Sequence, residues 1–330
     1  MSFLTLRHDF RVPADGSSTQ AEIYSAALEQ FRWADAQGFD FAVLSEHHGF
    51  TDGWLPAPLL AAAAIAAATA RIPILVSALV VPLHDPVRLA EQLAVLDHLS
   101  RGRVWTVAGA GYRPEEFAMA GVPLARRGKV LEAHLEVMLR AFTGEPFEYE
   151  GREVVVTPRP FTDPHPIILV GGGVEAAARR AARLRLPMMP MHADPRLAEW
   201  YADEAAKIGF EGGFVMRPSG PTFVHVTHDP DRTWSQIGPY VLAEAQTYAR
   251  MQTGGQYSTP VVHADSIEDL KASPQVLVGT PDEIVAAAAG IADDGALTFN
   301  PLAGGLPPAL AWESLELFAA EVLPRLRPGQ

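Results

Sequence analysis

Ile74-Leu75-Val76-Ser77-Ala78-Leu79-Val80-Val81 is a β-branched, apolar run of strand length, and the residues after it decide the fold. Asp85-Pro86 offers an N-cap with proline at the first helical position, and Leu89, Leu93 and Leu96 then recur at helical spacing. Val104 to Ala108 is a second β-branched run. A strand, a helix and a strand with short connections predict parallel pairing through a crossover helix. Upstream, Tyr24, Ala27, Leu28 and Phe31 share one helical face and Gly38 stands where a left-handed cap is wanted, so residues 21–37 are predicted helical. Phe39 to Ser45 then reads as a short buried strand.

Downstream the cycle continues. Leu131, Leu135, Met138 and Phe142 predict a long amphipathic helix closed by Gly144. A proline-rich irregular segment leads to a strand from Ile167 to Val170, and Glu175 to Leu184 is predicted helical. Thr280-Pro281-Asp282-Glu283 is a capping box with proline at N1. Ala296 to Phe299 reads as the last strand, and Leu315, Phe318 and Val322 mark a closing helix. Residues 210–220 and 251–275 are the least patterned and read as loops or insertions.

About eight strand–helix units over this length predict an α/β protein with a (β/α)8 TIM barrel, residues 1–330 forming one domain with loop insertions. An open doubly wound sheet is the competing architecture, and the first strand–helix turn lacks the glycine cluster that such sheets use for dinucleotides. The 48% hydrophobic composition suffices for a large core. A formal charge of −13 opposes binding to nucleic acid or anionic lipid. Without cysteine there is no disulfide, thiolate metal site or cysteine nucleophile. Met1 to Val12 lacks an apolar signal-peptide core, and the alanine-rich stretch from Leu59 to Ala70 is too short to span a membrane. The expectation is a soluble cytoplasmic enzyme.

In a barrel, residues just past each strand converge on one mouth, which places Glu46-His47-His48 where chemistry is expected. Histidines beside a carboxylate suit acid/base work near neutral pH. No helix-borne ligand stands at metal-binding spacing, so no metal is expected, and a hydrogen-bonded strand-end histidine is the plainer alternative. Gly171-Gly172-Gly173, followed by Val174 and Glu175, lies between a strand and a helix start, where amide groups can hold a phosphate or simply make a tight turn. Gly109-Ala110-Gly111-Tyr112-Arg113 has the same placement with an aromatic ring added. Arg126 and Arg127 open the long helix against its dipole, which hints at an anion. Ser77-Ala78 offers small side chains mid-strand, while His192 and His225 read as structural.

Taken in order, Leu44-Ser45-Glu46-His47-His48-Gly49, the run from Ala78 to Glu91 and the run from Leu96 to Val104 resemble the bacterial luciferase-like flavin-dependent oxidoreductases. So do Gly111-Tyr112-Arg113-Pro114-Glu115-Glu116-Phe117, Gly121-Val122-Pro123, Arg127-Gly128, Val170-Gly171-Gly172-Gly173 and Leu277-Val278-Gly279-Thr280-Pro281. The resemblance covers most of the chain. It implies a barrel holding FMN, or the deazaflavin coenzyme F-420, above the strand ends. It also implies that His47 is the acid/base residue, oriented by His48 or Glu46, and that Ser77-Ala78 is a cis peptide supporting the isoalloxazine ring. Arg127 and Gly171 to Glu175 would hold the phosphate, and Gly109, Ala110, Tyr112 and Arg113 would complete the cofactor site.

Two departures bear on the pocket. Many relatives carry arginine where this chain has Ala110, and an Asp-Gly-Trp sequence where it has Leu186-Pro187-Met188-Met189-Pro190. The resemblance implies a monooxygenase that uses reduced FMN and O2 on a small organic substrate, with a separate flavin reductase and a homodimeric assembly. F-420-dependent hydride transfer and non-catalytic flavin binding are the alternatives.

Overall fold

The computed structural model describes residues 2–14, 16, 18–252, 262–292 and 295–328. Its strands are β1 (Phe3–His8), β2 (Phe41–Leu44), β3 (Ile74–Val80), β4 (Val104–Gly109), β5 (Phe147–Tyr149), β6 (Arg152–Val154), β7 (Ile167–Gly172), β8 (Met188–Pro190), β9 (Phe223–Val226), β10 (Val276–Gly279) and β11 (Ala296–Phe299). Its helices are α1 (Gln20–Ala36), α2 (Pro58–Ala68), α3 (Pro86–Ser100), α4 (Pro114–Ala120), α5 (Arg127–Ala141), α6 (Glu175–Arg183), α7 (Pro195–Lys207), α8 (Pro230–Met251), α9 (Ile267–Ala272), α10 (Pro281–Ala289), α11 (Pro308–Leu317) and α12 (Leu323–Leu326). Two compact units carry them, neither contiguous in sequence. One comprises Met1–Val43, Phe50–Leu55 and Arg217–Gln330, the other Leu44–Gly49 and Pro56–Met216.

In the second unit β3, β4, β7 and β8 lie side by side, all parallel. Ile74, Leu75, Val76, Leu79 and Val80 are buried, the pattern of a parallel strand covered on both faces. The crossover from β3 to β4 is α3. Asp85 caps it by accepting the N–H groups of Val87 and Arg88 at 3.0 and 2.9 Å, and Leu89, Leu93 and Leu96 bury its inner face. Arg103 donates to the carbonyls of Ala66, Thr69, Ile72 and Ser100, satisfying acceptors that the ends of α2 and α3 leave open.

In the first unit β1 pairs with β11 in parallel, from Phe3 opposite Ala296 to Leu6 opposite Phe299, and β9 pairs with β10. Phe39, Phe299 and Phe318 cluster with ring centroids 4.6 to 5.8 Å apart at the centre of its core. Among the described residues no helix is long and apolar enough to cross a membrane.

The predicted helix over residues 21–37 is α1. It starts a residue earlier because Thr19 and Glu22 form a capping box, and Gly38 follows it with a φ of 75°. The proline-rich stretch before β7 contains an antiparallel hairpin, β5 with β6. Glu150 and Gly151, both at positive φ, make its two-residue turn. The sequence pattern announces neither α7 nor α8. The first shows only a narrow stripe of Leu197, Tyr201 and Ala205, and Pro239 interrupts the second. Residues 210–220 make no helix or strand beyond an isolated bridge from Val215 to Met188. Within 251–275, α9 is an element the sequence did not announce, and residues 253–261 lie outside the described residues.

His225, in β9, is 5% exposed, and burial pushes its pKa down from near 6.5 to about 4. The unfolded chain therefore binds the extra proton between those values, so this contribution is complete above pH 6.5 and is lost as the pH falls toward 4. The shift corresponds to about 3 kcal/mol. Denaturant unfolding measured over that range should show His225→Leu losing less stability on acidification than the parent.

Candidate active site

Every side chain joined in this site belongs to the unit formed by Leu44–Gly49 and Pro56–Met216. The chain leaves β2 at Leu44 and turns Glu46 inward, where its side chain is fully buried. The carboxylate accepts the Val80 N–H on Oε2, while Oε1 accepts from His48 Nε2 at 2.9 Å and His84 Nε2 at 2.7 Å. An ionised carboxylate only accepts, so both imidazoles present N–H at Nε2. Burial alone would raise the pKa of Glu46. Hydrogen bonds from His48, His84 and Val80 outweigh it and hold the group at about 2. Its hydrogen bond to Glu46 in turn pushes the His48 pKa above the ordinary histidine value.

A second carboxylate sits beside the first. Pro114 at N1, two acidic residues in the first turn and a left-handed Gly121 cap fix α4, and its first turn carries Glu116. Glu116 Oε1 accepts the His48 backbone N–H at 3.1 Å and Arg113 Nη1 at 3.3 Å, and it lies 3.4 Å from His47 Nδ1. Burial opposes ionisation of Glu116, yet the hydrogen bond and charge of His47, with His48 N–H and Arg113, bring its pKa below the usual value. Arg113 also donates to the His48 carbonyl at 2.9 Å. The arginine expected near the cofactor therefore staples the Glu46–His48 loop to α4.

The Ser77-Ala78 peptide is cis, and the pairing of β3 with β4 shifts between Ser77 and Leu79. These two residues are half-buried in an otherwise buried strand. The next strand must accommodate the bulge: a Cβ on Gly109 would stand 2.9 Å from Ala78 Cβ. Gly109→Ala is accordingly expected to cost about 1 to 3 kcal/mol by overpacking, seen as a lower Tm. Val80, two residues past the bulge, is the residue whose N–H reaches Glu46. The acid cluster is thus hydrogen-bonded to β3 just past the bulge. Ala110 and Tyr112 follow β4 as half-buried residues.

The expected phosphate elements stand at two other helix starts. Gly172, at φ +142°, ends β7, and a Cβ there would come within 2.5 Å of Ala177 Cβ, so glycine is needed for close packing of α6. Gly171 is buried and Gly173 half-buried at the same turn. Val174 caps α6 without a side-chain hydrogen bond, and the Ala177 N–H already donates to the Val174 carbonyl at 2.9 Å, so an anion here would meet the amides before it. The Val174 side chain is exposed, and Glu175 turns to Arg179 at 2.6 Å, so only the backbone of this pair suits a phosphate. Arg127 begins α5 and donates to the Leu124 carbonyl at 3.1 Å. Glu132 ties the two helices together by pairing with Arg180 and Arg183.

His84, Glu116 and Arg180 do not stand out as site residues in the sequence. His84 immediately precedes the Asp85 cap, and Glu116 stands three residues after Arg113, so helix-start geometry was the available signal for both.

The family described as luciferase-like monooxygenase has a model that matches residues 5–298. An uncharacterized protein of Mycobacterium bovis is 38% identical over 126 residues, 37% of this chain and 43% of that one. Another uncharacterized protein, from Sinorhizobium fredii, is 27% identical over 170 residues, 50% of this chain and 48% of its own. These matches span half or less of either relative. Among solved structures, monooxygenase RslO1 from Streptomyces bottropensis superposes with a TM-score of 0.79 at 24% identity, over 99% of this chain and 100% of its own. The oxygenating constituent of 3,6-diketocamphane monooxygenase from Pseudomonas putida, in complex with FMN, gives 0.72 at 21% identity over 98% and 99%. An F-420-dependent secondary alcohol dehydrogenase, in complex with an F-420–acetone adduct, gives 0.68 at 16% over 99% and 100%. At these identities the structural likenesses establish the fold.

Proposed function

From the premise that this chain belongs to the luciferase-like monooxygenase family, we propose that it is a flavin-dependent monooxygenase using reduced FMN and O2 on a small organic substrate. The observation that carries the reading is that Glu46, joined to His48 and His84, accepts the Val80 N–H two residues past the half-buried Ser77-Ala78 bulge. When bound, reduced FMN supplies the electrons that activate O2. The chain's own residues bind, orient and move a proton. The bulge at Ser77-Ala78 gives a flat ring a platform of small side chains, with Gly109, Ala110 and Tyr112 beside it. The turn from Gly171 to Glu175, whose cap residue Val174 makes no side-chain hydrogen bond, and the Arg127 guanidinium suit the phosphate. His47 holds or releases a proton near the ring, its Nδ1 facing Glu116.

The parallel strands would close into a (β/α)8 barrel, a reading supported by the alternation of strands and helices. A cytoplasmic homodimer served by a separate flavin reductase completes the proposal.

Equilibrium titration of the full chain with FMN, reduced FMN and F-420 tests the reading. Tight binding of reduced FMN with turnover under O2 is expected. Tight binding of F-420 alone would replace it with hydride transfer, and flavin binding with no oxidation of any substrate would make the chain a binding protein.

A further inference from the structure

Deepening the reading above, on which it rests, we propose that Arg180 is a specificity-determining residue for the coenzyme. Its guanidinium, with Gly128 leaving room beside it, holds a doubly charged phosphate monoester, the group that FMN carries. All the residues concerned lie in Pro56–Met216, within one compact unit.

Arg180 is only 9% exposed, on the buried face of the nine-residue helix α6. A guanidinium carries five N–H donors, and burial makes each of them costly to leave without an acceptor. Among the described residues its side chain makes one hydrogen bond, from Nε to Glu132 Oε2 at 3.3 Å, while Arg183 takes Oε1 of the same carboxylate at 2.7 and 3.3 Å. The N–H groups of Nη1 and Nη2 meet no acceptor among those residues.

Side chains of a helix lean toward its N-terminus, so Arg180 reaches back along the stripe it shares with Ala177. Ala177 packs on Gly172, and a Cβ on Gly128, the second residue of α5, would stand 3.0 Å from Arg180 Nη2. The guanidinium thus stands beside the start of α5, on the helix face that meets the glycine turn. That turn is itself held: His192 Nε2 donates to the Gly173 carbonyl at 3.0 Å, and a trans peptide then points the Val174 N–H the opposite way.

The charges agree. Ion pairs joining α5, α6 and α7 set Arg179, Arg180, Arg183 and Lys207 against Glu132, Glu175 and Glu204, and Arg127, beside Gly128, meets a carbonyl but no carboxylate among the described residues. Five cations therefore face three carboxylates, a positive surplus of two in a chain of formal charge −13. A phosphate monoester carries close to two negative charges at neutral pH and three acceptor oxygens, which answers both the surplus and the unfilled donors.

Equilibrium titration of the full chain with FMN and with riboflavin, which lacks only the phosphate, tests the assignment. Arg180→Gln should weaken FMN by about ten- to a hundredfold, the worth of charge-assisted hydrogen bonds, and leave riboflavin within about twofold. Gly128→Ala, a change that otherwise favours a helix, should weaken FMN in the same selective way by crowding Nη2. Inorganic phosphate should raise the Tm of the parent and not that of Arg180→Gln. Equal losses for FMN and riboflavin would make Arg180 a structural residue and overturn the proposal, as would FMN affinity unchanged in both variants. A parent that binds F-420 and not FMN would remove the monooxygenase reading, and the phosphate melting shift then decides alone. Present in the parent and absent in Arg180→Gln, it sustains Arg180 as the phosphate residue; the same shift in both, or none in either, removes it.

Discussion

Replacing His47 with alanine is expected to lower turnover with reduced FMN by about two to four orders of magnitude, the usual worth of a positioned acid/base group. Binding of the flavin should change far less, because the Ser77-Ala78 platform and helix-start amides proposed to hold it do not depend on the imidazole. The His47 side chain is 9% exposed and lies 3.4 Å from a carboxylate that Arg113 and the His48 N–H already hold in place. Removal leaves that carboxylate with its other partners, so the fold should survive. Single-turnover kinetics with prereduced FMN, beside a flavin titration, separate the two effects. Unchanged turnover in His47→Ala would remove this residue from the mechanism.

The second large effect falls on stability as well as activity. Glu46→Ala deprives the Val80 N–H of its acceptor, separates His48 from His84 and leaves a void where the sealed Glu46 side chain stood. A buried donor left unpaired costs about 1 to 3 kcal/mol, and loss of a buried charge partner adds to it, so about 2 to 4 kcal/mol is expected in denaturant unfolding. Glu46→Gln isolates the electrostatic part. The native pKa of Glu46 is depressed from 4.5 to about 2, so the unfolded state binds the extra proton between those values. The contribution is complete above pH 4.5 and disappears as the pH falls toward 2, about 3 kcal/mol in all. The parent should show that acid limb and Glu46→Gln should lack it. The same limb in both proteins would mean that Glu46 is not ionised in its native place.

Much of this arrangement was legible in the order of residues, and the reasons differ by residue. Strand β3 and helix α3 announce themselves because a buried parallel strand must be apolar throughout and a capped helix must carry a polar residue before its leucines. The cluster Glu46-His47-His48 stood out because strand ends are where a parallel fold gathers chemistry. Glu116 and His84 did not. They become partners of that cluster only through contacts between residues 38 to 69 positions apart, which no local pattern encodes. Arg113 carries a contact the sequence does not show: its guanidinium meets the His48 carbonyl and Glu116, residues 65 and 3 positions away. Helix α8 stayed hidden because a mid-helix proline breaks the expected pattern, and packing of Trp234, Ile237 and Val241 overrides that local preference.

The six residues Leu44–Gly49 contribute the acid and its histidines to a unit otherwise drawn from Pro56–Met216, with Phe50–Leu55 belonging to the other unit. For gene recombination this makes the interval between them a hazardous crossover point. A chimera joined there inherits Glu46 from one parent and the Val80 amide, His84 and Glu116 from the other. Such hybrids will retain the hydrogen-bonded cluster only where both parents place the same donors around the same buried oxygen, so exchange of substrate-shaping segments is better made downstream of Glu116.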